Sequence, residues 1–169
     1  MTIQSFFALG MKRDIPVIVA PQADELILNL GCGNSPLPFC VNFDLRPTQS
    51  DIHQWDANTS PLPYEAEEVD YVHAYHFLEH VNDPIAVLRE IGRVLRPGGI
   101  LSGCVPHCDG VLDAQDLTHK TRWNLNTLPN LLERDWYDYG GKLPFKIHTQ
   151  FCMSVKEGNL AILFQLRKL

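Results

Sequence analysis

The first three strand candidates are joined by connections too short for an ordinary parallel crossover. Glu25–Leu30 is an apolar run ending at Gly31, Val41–Leu45 is a second candidate, and Ile52–Trp55 is a short third. Ten residues, Gly31–Cys40, separate the first two, and six, Arg46–Asp51, separate the second from the third. A parallel crossover takes about a dozen residues or more and usually carries a helix. These connections are near or below that limit, so this half of the sheet is expected to lack its usual helical cover on at least one face. The segment Met1–Arg13, with Phe6, Phe7 and Leu9, or a second subunit in a homodimer, is expected to cover it.

Val69–Ala74 reads as a fourth strand. Asp83 then offers an N-cap with Pro84 at the first helical position. Ile85, Val87, Leu88, Ile91, Val94 and Leu95 follow at helical spacing until Pro97-Gly98-Gly99. Ile100–Val105 is a fifth strand, and Leu125–Glu133 a short helix. Phe145–Val155 and Leu160–Arg167 flank Glu157-Gly158-Asn159 and form a hairpin. The order predicts an α/β domain with a mostly parallel sheet, a C-terminal antiparallel hairpin and reduced helices around the first strands. No repeat or long linker divides the chain, so residues 1–169 are read as one domain.

Charge and cysteine usage narrow the partners. Fourteen Lys and Arg stand against twenty Asp and Glu, for a net charge of -6. A phosphate-tracking surface needs the opposite balance, so no nucleic-acid partner is expected. No apolar run reaches the ~20 residues of a membrane span, and the start lacks a basic stretch ahead of its apolar residues, as a signal peptide would have. Five cysteines at irregular spacing read as reduced thiols in a cytoplasmic protein.

The strongest local signal is Leu28-Asn-Leu-Gly-Cys-Gly33. Glycines at the carboxyl end of a first parallel strand let a ligand approach the backbone, and Asp44, ending the next strand, is placed to accept both hydroxyls of a ribose. A tight turn followed by a solvated Asp is the alternative. The dinucleotide pattern is incomplete, since Asn34-Ser35-Pro36 follows Gly33 and no helix start is evident for a pyrophosphate. A nucleoside without a pyrophosphate fits better, and a nicotinamide-dependent oxidoreductase is disfavoured.

These residues, with Val41-Asn-Phe-Asp44, Val69-Asp-Tyr-Val-His-Ala-Tyr-His-Phe-Leu-Glu-His-Val81 and Leu88-Arg-Glu-Ile-Gly-Arg-Val-Leu-Arg-Pro-Gly-Gly-Ile-Leu101, resemble a class I S-adenosylmethionine-dependent methyltransferase of the compact type 11-like branch. The resemblance covers about half the chain, Leu26–Pro106. It implies a Rossmann-like fold with S-adenosylmethionine as cofactor. Gly31, Cys32 and Gly33 would lie against the methionine part, and Asn29 stands near the acidic position that opens the motif in many relatives. Asp44 would hold the ribose, Asp56 and Ala57 would face the adenine, and Tyr75-His76 would line the methyl-transfer cleft. The third glycine of the motif is missing, and the first crossover helices are lost.

The histidines need weighing one by one. His76 and His80 are four apart, with Glu79 between them and His73 before them. This spacing suits a metal on a helix, but His73 falls in a strand and Leu-Glu-His is routine in the resembled family, so no metal is expected. Cys104-Val-Pro-His-Cys108 matches no common zinc spacing, and its His107 is a substrate-contact candidate after the fifth strand. In Asp116-Leu-Thr-His-Lys-Thr-Arg-Trp123, His119 is the first candidate for a base, because a neutral imidazole removes a proton near neutral pH. A loop-ordering His bonded to Asp116 is the equal alternative. Trp123 reads as a packing anchor, while Trp136, Tyr137 and Tyr139 either wall a pocket or fill a core edge.

The expected activity is transfer of a methyl group to an oxygen or nitrogen of a small-molecule or sugar-like acceptor. A non-catalytic S-adenosylmethionine sensor or scaffold subunit is the alternative, motivated by the short N-terminal segment and the uncovered sheet face.

Overall fold

The computed structural model describes residues 21–133, 141–154 and 158–169. The expectations for Met1–Arg13, for Trp136, Tyr137 and Tyr139, and for Val155 and Glu157 in the hairpin turn lie outside them.

Among the described residues, seven strands form one sheet: β1 Ile27–Leu30, β2 Val41–Asp44, β3 Ile52–Gln54, β4 Val69–Tyr75, β5 Leu95–Pro106, β6 Phe145–Ser154 and β7 Leu160–Lys168. Their order across the sheet is β3-β2-β1-β4-β5-β7-β6. The first five pair in parallel, and β7 runs antiparallel between β5 and β6. The expected fold class is what the chain adopts. The fifth strand starts earlier than its glycines suggested. Leu95 already pairs with Val69, and the register shift between Val69 and Tyr71 absorbs Pro97-Gly98-Gly99 within the extended run.

No helix lies between β1 and β2 or between β2 and β3. A buried amide pair holds the first turn instead. Asn29 Nδ2 donates to Asn42 Oδ1 at 2.9 Å. Asn42 Oδ1 also accepts from Leu37 N at 2.9 Å, and Asn42 Nδ2 donates to the carbonyls of Leu37 and Cys40 at 3.0 and 3.1 Å. One side chain thus satisfies the turn's inward-facing backbone groups, which a crossover helix would have satisfied internally.

The connection from β3 to β4 is clamped to α1, Pro84–Val94. The Arg93 guanidinium donates to the carbonyls of Tyr64 and Leu62 and to Glu90, whose Oε1 accepts from Leu62 N at 2.7 Å. The capping expectation for α1 holds: Asp83 Oδ1 accepts from Ile85 N and Ala86 N, both at 3.0 Å, with Pro84 at the first position. Val87, Leu88, Ile91 and Val94 are buried in the main core with Leu28, Leu30, Phe43, Val72, Leu101 and Phe164. Two short helices follow β5: α2 Val111–Gln115 and α3 Thr127–Leu132.

The opposite sheet face is polar. Asn29, Asn42, His73, Ser102 and Gln165 are buried, along with Ile27, Tyr71 and Ile100. Gln165 Nε2 donates to the Tyr71 hydroxyl at 2.9 Å, and the Tyr75 and Ser102 hydroxyls lie 2.8 Å apart.

Asn42→Ala leaves Asn29 and three backbone groups without partners. It is expected to lower unfolding stability by about 2–3 kcal/mol, measured by urea denaturation. A loss under about 0.5 kcal/mol would show that the turn holds itself.

Candidate active site

The carboxyl ends of β1, β2 and β4 come together on one edge. There the chain turns through Gly31 and Gly33, both in the left-handed region at φ 66° and 56°. Gly31 N and Cys32 N donate to Phe43 O at 2.9 and 3.1 Å, which closes the turn over the end of β2. A Cβ on Gly31 would meet the Phe77 ring at 2.5 Å, while one on Gly33 would meet nothing within 4 Å. The first glycine is thus required by packing, and the second leaves open backbone.

Asp44 stands beside that turn. Its Oδ2 accepts from Gly33 N at 2.8 Å and its Oδ1 from Arg46 N at 2.9 Å. Each oxygen keeps acceptor capacity for a further donor. The carboxylate is therefore fixed in direction before any ligand arrives. Burial, with Asp44 adding to it, pushes the Cys32 thiol up to about 11. Cys32 is a neutral thiol at physiological pH, which suits contact with a ligand and not nucleophilic attack.

Asp56 and Ala57 follow β3 on the same edge. Asp56 Oδ1 accepts from Asn58 N and Asn58 Nδ2, both at 2.9 Å. Those hydrogen bonds hold its carboxyl below the usual carboxylate range. Asn58 Oδ1 in turn accepts from Asn82 N at 2.7 Å, tying this loop to the start of α1. A cavity of about 260 Å³ lies against this segment, lined by Trp55, Ala57, Asn58, Ser60, Ala86 and Glu90 among others. Gly31, Gly33 and Asp44 do not line it.

Asn29 and Tyr75 are placed elsewhere. Asn29 lies within the sheet, its side chain bonded to Asn42. The Tyr75 hydroxyl bonds to Ser102 on the polar face, and burial holds it above the usual phenol range. Its neighbour His76 is at the edge, in the left-handed region at φ 50°. His76 Nε2 lies 3.8 Å from Cys104 Sγ and Nδ1 lies 3.1 Å from Glu79 Oε1. The Cys104 contact and then Glu79, against the opposing effect of burial, push this imidazole up to about 10. His76 is thus a cation at neutral pH, with its ring half exposed.

The loop after β5 folds back over the 3-10 turn Leu78–His80. Lys120 N and Thr121 N donate to Glu79 O at 2.7 and 3.3 Å. Arg122 Nε donates to the buried Asp113 at 2.7 Å, and Cys108 N donates to Trp123 O at 2.7 Å. Trp123 is fully buried, as expected of a packing anchor. His119 is thereby set against His80, with ring centroids 4.9 Å apart, and its Nδ1 faces Asp113 O at 3.1 Å. Its Nε2 lies 3.7 Å from Asp116 Oδ2. His107 is apart from this group: its Nδ1 accepts from Asp109 N at 3.1 Å, inside its own turn.

The sequence reading treated Glu79 as a routine family residue. The structure makes it the central one of this loop, completely buried and touching His76. The i, i+3 spacing of His76 and Glu79 was the available signal. The approach of His119 from a distant loop had no local signal.

Residues 39–102 match the family described as Methyltransferase domain. No curated protein matches. Among solved structures, a SAM-dependent methyltransferase from Methanosarcina mazei is 17% identical, with a TM-score of 0.66 over 88% of this chain and 94% of that one. A 4+2 cyclase is 16% identical, with a TM-score of 0.63 over 85% and 74%. A putative Haloferax volcanii methyltransferase, solved in complex with the Trm112 methyltransferase activator, is 16% identical, with a TM-score of 0.59 over 83% and 81%. At such identities the likeness is one of fold. The cyclase shows that the fold hosts more than one chemistry. The matched segment spans 64 of the 169 residues, and with the strand order these likenesses show that the chain shares the fold of the methyltransferase structures.

Proposed function

We propose that the protein transfers a methyl group from S-adenosylmethionine to an oxygen or nitrogen of a small, sugar-like or other hydroxyl- or amine-bearing acceptor. The observation that carries this reading is the Asp44 carboxylate, fixed by Gly33 N and Arg46 N beside open glycine backbone. Asp44 accepts the ribose hydroxyls, Gly31, Cys32 and Gly33 pass beside the methionine part, and Asp56 with Ala57 faces the adenine. Asn29 acts from inside the sheet by holding Asn42, and Tyr75 by anchoring the end of β4 to Ser102.

The cofactor supplies a sulfonium-activated methyl group when bound, so the protein's own work is alignment, exclusion of water and proton removal. His119 is the proton acceptor best placed for this. Its Nδ1 donates to Asp113 O, which leaves the lone pair on Nε2. His76 is already protonated and serves as a fixed cation at the cleft. His107 is a more distant substrate contact on the same side of the sheet.

Two further readings rest on less. Activation by a partner protein draws on the Haloferax volcanii neighbour and its Trm112 complex. A homodimer through the sheet face that lacks crossover helices around the first strands is a further reading, motivated by those short connections. No helix among the described residues is long and apolar enough to cross a membrane. The five unpaired cysteines support a cytoplasmic location.

Calorimetric titration with S-adenosylhomocysteine is expected to show one site per chain, with affinity at least tenfold weaker in Asp44→Ala. Equal binding by the variant would remove Asp44 from the site. His119→Ala is expected to lower turnover roughly 100-fold, within the ordinary range for a general base, while S-adenosylhomocysteine affinity stays within about twofold. Unchanged turnover would remove His119 from the mechanism.

A further inference from the structure

Three side chains from two separate segments converge beside the cleft. One ligand-capable atom from each of Glu79, His80 and His119 lies within 4.8 Å of the other two. Glu79 is completely buried, and its Oε2 has no hydrogen-bond partner. A buried carboxylate oxygen left unpaired is costly, typically about 1–3 kcal/mol and more when charged. Such a group persists where something else satisfies it.

The two imidazoles are prepared in the same sense. Thr118 Oγ1 donates its one proton to Asp116 Oδ1 at 2.7 Å. It can therefore only accept from His80 Nδ1, which lies 3.0 Å away. His80 then carries its proton on Nδ1 and its lone pair on Nε2. His119 reaches the same tautomer by another route, because its Nδ1 faces the carbonyl of Asp113 at 3.1 Å. An imidazole whose second nitrogen donates to an oxygen is the usual arrangement of a metal-ligating histidine. Asp116 fixes the Thr118 hydroxyl, and its Oδ2 lies 3.7 Å from His119 Nε2, where it competes with the ion by favouring a proton on that nitrogen.

From this geometry we infer that Glu79, His80 and His119 bind a divalent cation of borderline softness, of the zinc class, at the edge of the methyl-transfer cleft. Two imidazoles and one carboxylate suit such an ion, whereas magnesium prefers oxygen ligands alone. Bonds of about 2.1 Å place tetrahedral ligand atoms about 3.4 Å apart. The three side chains close on the ion by small rotations. Three protein ligands leave a position open, and the chemistry suited to it is a hydroxyl of the acceptor.

The ion and a proton compete for the same lone pair on His119. Reduced turnover in His119→Ala is common to both uses, and a metal titration separates them without any methyl transfer. It also stands if S-adenosylhomocysteine fails to bind, so failure of the two readings is distinguishable.

The test uses the full chain, stripped with a chelator and titrated with Co2+ followed by its visible d–d absorption and with Zn2+ by calorimetry. The expected result is one saturable equivalent per chain, with tetrahedral or five-coordinate cobalt bands. His80→Ala and His119→Ala are each expected to weaken binding at least 100-fold. Thr118→Val, which removes only the support for His80, is expected to weaken it about tenfold. Glu79→Gln tests the carboxylate where its thermal melt shows a folded protein, and the two histidine variants carry the test if it does not fold. His107→Ala is expected to bind normally, which separates this set from the His107, Cys108 and Asp109 cluster. No saturable uptake, or uptake unchanged in both His80→Ala and His119→Ala, overturns the inference.

Discussion

The amide pair of Asn29 and Asn42 carries the consequence of having no crossover helix. Parallel neighbours joined by ten residues need their turn held from within, and Asn42 holds both Leu37 and Cys40 while Asn29 holds Asn42. That arrangement keeps β1 and β2 in register, Asn29 opposite Asn42 and Leu30 opposite Phe43. The register in turn brings Phe43 O over the glycine turn and Asp44 against Gly33. The direction of the carboxylate is thus a product of sheet packing two residues below it.

The same economy recurs at the next connection. Where a helix would normally bury the segment between β3 and β4, Arg93 and Glu90 of α1 satisfy its backbone groups directly. Trp55, Leu62 and Tyr64 then supply the apolar cover. Among the described residues, α1 packs on the core side of the sheet, and polar side chains pair with one another on the other side. This leaves the carboxyl edge reachable, with the loop after β5 folded over it.

Much of this was legible in the residues. The apolar runs, the Asp83-Pro84 cap and the short connections gave the strands, the helix and the missing crossovers, because each is a local property of a few neighbours. Val69–Tyr75 extended one residue past its reading, and β5 began five residues early, because strand ends are set by pairing partners that sequence does not show. Of the site, the glycine turn with Asp44 was legible as a motif. The positions of Asn29 and Tyr75 were not, since the alternation of β1 and β4 sends both side chains to the polar face. Nor was the contact of His119 with His80, which depends on a loop closing across almost forty residues of chain.

The central claim is that Asp44 and the glycine turn form a preset nucleoside site. The most direct test is a crystal structure of the protein with S-adenosylhomocysteine bound. The account predicts both ribose hydroxyls within about 3 Å of the Asp44 oxygens, with the Gly33 and Arg46 hydrogen bonds retained. A nucleoside bound away from Asp44, with that carboxylate still engaged by Gly33 and Arg46 alone, would contradict it.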